Sequence, residues 1–271
     1  VSTPTETVRF CIERRDAVDV VGPDARSYLQ SQLSQRVDDL AVGASRWAFV
    51  LQPTGKVEVL GRVWCVADER FVLDTEAGFG DALLARLARF KIRVAVELAA
   101  RPLSVATAWG GGGDAVVEAA RDRAVVGWWG RGVHLAGWPD GPDVPDGWVA
   151  AGPDELLTAR IEAGWPAMGS EIAPGESIPA ETGVVAVAVD FTKGCYPGQE
   201  LVERMDSRGA SAPRTLRRLD VAGGAQAGDP VVVDGVEVGV LTSVTGGRAL
   251  GLVRRNVEIG TLVAPPAAAP S

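Results

Sequence analysis

The sequence predicts an α+β fold that ends in an all-β domain. Three observations carry this expectation. Helical and strand periodicities mix through the first two-thirds of the chain without the strict alternation of a parallel βα repeat. After Pro213 the style changes to short strands punctuated by turns, as in "DPVVVDGVEVGVLTSVTGG" and "RALGLVRRN", the pattern of a small antiparallel barrel or sandwich. The 271 residues, 46% hydrophobic and 23% charged, match an ordinary globular chain with a substantial core.

The elements follow in order. "VDVVGPDARSYLQSQLSQRV" reads as an apolar strand, then Gly22 as N-cap, Pro23 at the first helical position, and Ala25, Leu29 and Leu33 at helical spacing. "WAFVLQPTGKVEVLGRVWCVADERFVLDT" reads as a meander with turns at "PTGK" and "ADER". "GDALLARLARFKI" is an amphipathic helix, with Leu83, Leu84, Leu87 and Phe90 inward and Arg86 and Arg89 towards solvent. "WGGGGDA" is a break, since four consecutive glycines are too costly inside an element. It lacks the surrounding βαβ unit and later acid of a phosphate loop. "GWWGRGVHLAGWPDGPDVPDGW" suggests strands and turns, and "GPDELLTARIEAG" a helix with Pro153 near its start and Gly164 at its end. An apolar strand, "VVAVAV", comes next, and the tail "PPAAAPS" is expected to be disordered.

Composition narrows the function classes. A net charge of −8 and no long Lys/Arg run disfavour nucleic acid as a partner. No apolar run reaches the roughly 18 residues of a membrane span, and "VSTPTETVRF" has no signal-peptide pattern. The three cysteines, Cys11, Cys65 and Cys195, are scattered, form no CxxC pair, and suggest a reduced, cytoplasmic protein. With a single histidine they fall short of the about four ligands of a resident metal or cluster, so no metal site is expected. His134 has no nucleophile-elbow motif beside it and reads as structural or exposed.

Chemistry concentrates in "FTKGCYPGQE". Lys193 stands two residues from Cys195, and Pro197-Gly198 open a helix bearing Glu200 and Glu203. A neighbouring cation and a helix N-terminus both favour thiolate over thiol. The same residues also suit a tight corner in which Cys195 is a small buried filler. A second cluster, "ARIEAGWPAMGSEIAPGESIPAETG", carries Arg160, Glu162, Glu171, Glu176 and Glu181. Glu181, in a rigid "IPAE", is either a solvated charge or a pocket carboxylate. In a pocket it would suit a heterocycle with two adjacent N–H donors, such as a pterin or guanine edge.

"KGCYPGQE" followed by "ER" resembles the signature of the YgfZ-type folate-binding proteins. These are bacterial relatives of iron–sulfur cluster assembly factors, in a superfamily with the glycine-cleavage aminomethyltransferase, or T-protein. The similarity runs from about residue 17 to 263 and includes "LQPTGKV", "IPAE" and "GDPVVVDGVEVGVLTSV". The resemblance implies a T-protein-like ring of mixed α/β subdomains (1–100 and 101–212) with a C-terminal β-barrel (213–265) and a tail (266–271). It implies tetrahydrofolate as cofactor, gripped by Glu181. Arg160, Glu162, Tyr196, Gln199 and Glu200 are further candidates for cofactor binding, and Cys195 and Lys193 for catalysis.

One departure is informative. Where T-proteins carry an Asp pair near the reacting folate nitrogen, this chain has Val59 and Leu60, which cannot exchange protons or stabilise a developing charge. The resemblance then implies a folate-binding accessory factor, expected to be monomeric, whose partners are iron–sulfur assembly proteins or client enzymes. A folate-dependent aminomethyltransferase or demethylase, using Glu58 or another acid, is the alternative. A scaffold without ligand is a third.

Overall fold

The computed structural model describes residues 7–110, 124–126, 128, 132–136, 142–207 and 212–263. The expected glycine break, from residue 111 on, and the tail lie outside them. Among the described residues, eight strands form the larger sheet. These are β1 (Arg9–Val21), β2 (Ser45–Leu51), β3 (Val57–Ala67), β4 (Arg70–Glu76), β5 (Glu97–Trp109), β6 (Ala124–Val126), β7 (Gly132–Ala136) and β8 (Val149–Ala150). Their order is β2-β3-β4-β1-β5-β7-β6, and β8 pairs with the start of β1. The long β1 is the axis of this sheet. Its second half pairs antiparallel with β4, its whole length pairs antiparallel with β5, and Arg9–Phe10 pair parallel with β8.

Side-chain alternation along β2 explains why this sheet has a core on each face. Ala48 and Val50 join Val59, Val63 and Phe71 under helices α1 (Ala25–Gln32) and α2 (Gly80–Arg89). Trp47, Phe49 and Leu51 point the other way, into a core shared with Ile161, Trp165 and Met168 and with Leu216 and Leu250 of the C-terminal strands. Each large side chain buried here contributes about 1.5–3 kcal/mol.

Three expectations are corrected. The first helix begins at Ala25, with Asp24 rather than Gly22 at its N-cap. Gly22, at φ +142°, makes the tight exit from β1, where a Cβ would lie 2.2 Å from the Ala95 carbonyl oxygen. Arg86 is buried, not solvated. Its Nε donates to the Leu51 carbonyl at 2.7 Å and its guanidinium stacks on Phe90, since a long side chain can reach a strand-end acceptor while its stem covers apolar surface. The run "VVAVAV" is no strand. Val185–Ala188 form a single α turn, with Val184 and Ala188 buried at i, i+4 spacing.

The helix expected at 153–164 is present as α3 (Pro153–Ala163), closed by Gly164 at φ +72°. The C-terminal strands are β9 (Arg214–Asp220), β10 (Pro230–Val233), β11 (Val236–Thr245), β12 (Arg248–Arg254) and β13 (Thr261–Leu262). They pair in the order β10-β11-β12-β9-β13. The antiparallel character is as expected, but the sheet is open: among the described residues no pairing joins β10 to β13 into a closed barrel.

Candidate functional site

The KGCY stretch is a corner pinned by glycines. Helix α4 (Gln199–Ser207) starts after Gly198, which has φ +84°. A Cβ on Gly198 would lie 2.5 Å from the Gln52 carbonyl oxygen and 3.0 Å from Gly55, itself at φ +85° in the "PTGK" turn. The two turns therefore meet backbone to backbone, a contact that only glycine permits. The corner continues into α4 through Gln199, whose Oε1 accepts from the Tyr196 N–H at 3.1 Å and whose Nε2 donates to Glu203 at 2.6 Å.

Within this corner the chemically active residues diverge. Cys195 is exposed, while Cys11 and Cys65 are buried, and burial raises both of their thiol pKa values. Lys193 is buried, its ammonium donating to the Gln30 carbonyl at 2.6 Å and to the Leu33 carbonyl. Those carbonyls end α1, where the partial negative charge of a helix C-terminus favours a cation. The Lys193 ammonium also lies 5.0 Å from the centroid of the buried Tyr196 ring. Burial pulls Lys193 down to about 8 and pushes Tyr196 up to about 12. Glu200 is exposed at the start of α4.

Glu181 sits in a 3-10 turn, Pro179–Glu181, and is buried. Its two oxygens accept from Arg214 Nε and Nη2 at 3.0 and 3.1 Å, which raises the Arg214 pKa. Each carboxylate oxygen retains a further lone pair. Arg160 joins α3 to the C-terminal sheet: its guanidinium donates to Glu171 at 2.7 Å, to the Trp165 carbonyl at 2.8 Å and to Ser243 at 2.6 Å. Buried Glu171 also accepts from Thr242 and Ser243. Glu162 is exposed and paired with Arg248.

Two hollows flank these residues. An apolar cleft of about 220 Å³ lies beside the KGCY corner, walled by Pro179, Val185, Phe191, Leu201, Val202 and Met205. A cavity of about 170 Å³ lies between β1, β2, β4 and α3, and Arg160 lines it. Its other walls include Glu13, Arg15, Trp47, Glu76, Trp128 and Trp165. Trp47 and Trp165 pack at 4.9 Å between ring centroids. Burial raises the Glu76 pKa, opposed by Arg15. Of the residues expected to bind a cofactor, only Arg160 lines this cavity; Glu181 does not. Sequence reasoning missed Glu13, Arg15 and Glu76. For Glu13 and Arg15 the signal was present: charges crowd into "CIERRDAV", a strand otherwise destined for burial.

The two non-acidic positions are buried on β3. Val59 packs in the core under α1 and α2, and Leu60 packs with Trp47 and Trp165 on the opposite face. Glu58 accepts from Gln52 Nε2 at 2.6 Å. The His134 side chain lies outside the described residues, although its backbone pairs with Thr107 and Val125. Among the described residues no group of three His, Cys, Asp or Glu is placed to hold a metal ion, and no helix is long and apolar enough to cross a membrane.

No protein-family profile matches the chain. It is 28% identical over 222 residues to a mitochondrial iron-sulfur cluster assembly factor IBA57 homolog of Pyricularia oryzae, covering 76% of this chain but 55% of that protein. The match therefore spans little more than half of that relative's length. Over 58 residues it is 45% identical to the tRNA-modifying protein YgfZ of Serratia proteamaculans, covering 21% of this chain and 17% of that protein. The fold is that of the glycine cleavage system aminomethyltransferase T of Bartonella henselae, with TM-score 0.73 at 19% identity over 92% of this chain and 78% of that one. By sequence the chain is similar to proteins named as YgfZ and IBA57, and its fold is that of the T-protein.

Proposed function

We propose that this chain is a tetrahydrofolate-binding accessory protein for iron–sulfur cluster assembly or repair, with Cys195 as its working thiol. The observation that carries the reading is the contrast among the cysteines: two are buried, and Cys195 is exposed on a corner locked by the Gly55–Gly198 contact. A thiol must be accessible to exchange or to ligate. A relative's name as an assembly factor supports the same reading. A cluster or its iron would be cargo. One exposed thiol supplies fewer than the about four ligands such a centre takes, so the remaining ligands come from a partner.

The folate half of the reading is supported by the central cavity, whose indole walls suit a flat ring and whose carboxylates suit its N–H donors. Calorimetry with tetrahydrofolate tests it. We expect native protein to bind, and Glu76→Gln and Glu181→Ala to report which carboxylate grips the ring. Absence of binding to native protein removes folate from the function. The thiol half is tested in a strain carrying Cys195→Ser. Its cluster-dependent enzymes should lose activity under oxidative stress, and full activity there overturns the role of Cys195.

A second reading, a folate-dependent aminomethyltransferase or demethylase, is favoured by one observation. Burial shifts the pKa of Glu76, at the cavity wall, upwards, the direction in which a carboxylate general base is tuned. Turnover of a methylated amine with formation of methylene-tetrahydrofolate, lost in Glu76→Gln, would establish it. No turnover across a panel of such amines rejects it.

A further inference from the structure

Phe191 is 42% exposed, although phenylalanine is among the residues most often buried. The loop that displays it is fixed. Asp190 Oδ1 accepts from the Thr192 N–H at 2.7 Å, the Thr192 hydroxyl at 2.6 Å and the Lys193 N–H at 3.1 Å, and its Oδ2 accepts from Arg36 Nε at 2.8 Å. A ring held this way needs little further ordering when another protein covers it. Phe191 also walls the apolar cleft of about 220 Å³ beside the KGCY corner, and Val185, Leu201 and Met205 on the same walls are half-buried. A contiguous apolar hollow with an exposed aromatic at its lip is the form of a pocket that takes an anchoring side chain from a partner.

The charges around the cleft define the partner. Asp206 lines it, and Glu200, Glu203 and Asp206 are exposed along α4 against one exposed cation, Arg204. Among the described residues neither Glu200 nor Asp206 has an ion-pair partner. Arg36 and Arg214, which reach the same loop and turn, are already paired with Asp190 and Glu181. The surface left over is net negative and complements lysines or arginines that flank an apolar anchor. A second copy of this chain, at net charge −8, is a poor match, and so is a phosphate backbone.

We infer that this cleft is the docking site for the protein partner of Cys195, and that the partner inserts an apolar side chain flanked by Lys or Arg. The inference rests on the thiol reading above. Cys195 follows Phe191 by four positions, which holds their Cα atoms within about 14 Å. A partner anchored in the cleft is therefore held next to the exposed thiol, and the acidic flank on α4 fixes its orientation.

Strains carrying Phe191→Ala, or Glu200→Lys together with Asp206→Lys, are compared with Cys195→Ser for cluster-dependent enzyme activity under oxidative stress. Both should lose most of the activity that Cys195→Ser loses, while purified Phe191→Ala is alkylated at Cys195 at the native rate. Melting temperature checks folding, and the charge variant, made on exposed side chains, carries the test alone if Phe191→Ala unfolds. Full activity in the folded variants beside a defect in Cys195→Ser overturns the inference and leaves the thiol reading intact. Full activity in all three strains overturns both. The occupant is identified by placing the photo-crosslinker p-benzoylphenylalanine at position 205 and irradiating cells. The crosslinked peptide should come from an iron–sulfur assembly protein or client enzyme, carry Lys or Arg beside the modified residue, and fall in yield when Glu200→Lys and Asp206→Lys are added. An adduct with a second copy of this chain, with nucleic acid or with an acidic segment, or no adduct at all, overturns the inference.

Discussion

Lys193 shows what a single residue's neighbours decide. From the sequence it stands two positions from Cys195 and reads as that thiol's cation; the fold carries its ammonium to the Gln30 and Leu33 carbonyls. Spacing within a loop reveals which residues are near, not which way a flexible side chain turns, and the acceptors here lie about 160 positions away in sequence. Replacing it by Met leaves two buried carbonyls without this donor and should cost about 1–3 kcal/mol in urea denaturation. The pH dependence has a definite sign. Burial holds the folded value near 8, below the ordinary lysine value of about 10.4. Between these the unfolded chain binds more protons, so this group makes stability rise with pH from about 8 upwards, and its burial penalty is felt in full below 8. The stability of native protein relative to Lys193→Met should therefore improve between pH 7 and pH 10. Glu181 was legible as a carboxylate in a rigid turn, but its partner Arg214 was not, since that pair forms only when β9 packs against the turn.

At the scale of elements, turns and helices were the most legible part, because their signals are local. "PTGK", "ADER", the helix ending at Gly164 and the start of α4 after Pro197-Gly198 all follow from residue chemistry at the site itself. "VVAVAV" misled because a short apolar run carries no period that separates a strand from a buried helical turn. The contact between the "PTGK" turn and the KGCY corner was not legible, since each glycine has a local reason to exist and only the fold brings the two together. That contact gives a prediction. Gly198→Ala combines a positive φ with a Cβ 2.5 Å from the Gln52 carbonyl oxygen, so it should destabilise by more than the about 1 kcal/mol of an ordinary glycine change. Melting temperature checks the stability. The alkylation rate of Cys195 checks the corner, and it should change in this variant, whereas Gly194→Ala, with open space around its Cβ, should leave it near the native value.

For the molecule as a whole, the α+β class and the antiparallel C-terminal strands were readable from periodicity, while the open edge of the second sheet and the cavity were not. Both depend on which strands pair across long separations. The Arg160–Glu171 pair, with Thr242 and Ser243, joins α3 to that second sheet. Glu171→Ala leaves a largely buried guanidinium uncompensated and should cost about 3–5 kcal/mol, with faster hydrogen exchange in β11 and β12 than in β1. The position of β1 has a consequence of another kind. On the ribosome this strand is made well before β5 and β8, so the axis of the larger sheet waits with an unpaired edge while the rest of it is still being translated. A bare edge of that length invites pairing with other nascent chains. Glu13, Arg14, Arg15, Asp16 and Asp19 interrupt it with charge, so residues that shape the cavity in the finished protein also act as gatekeepers of the unfinished one.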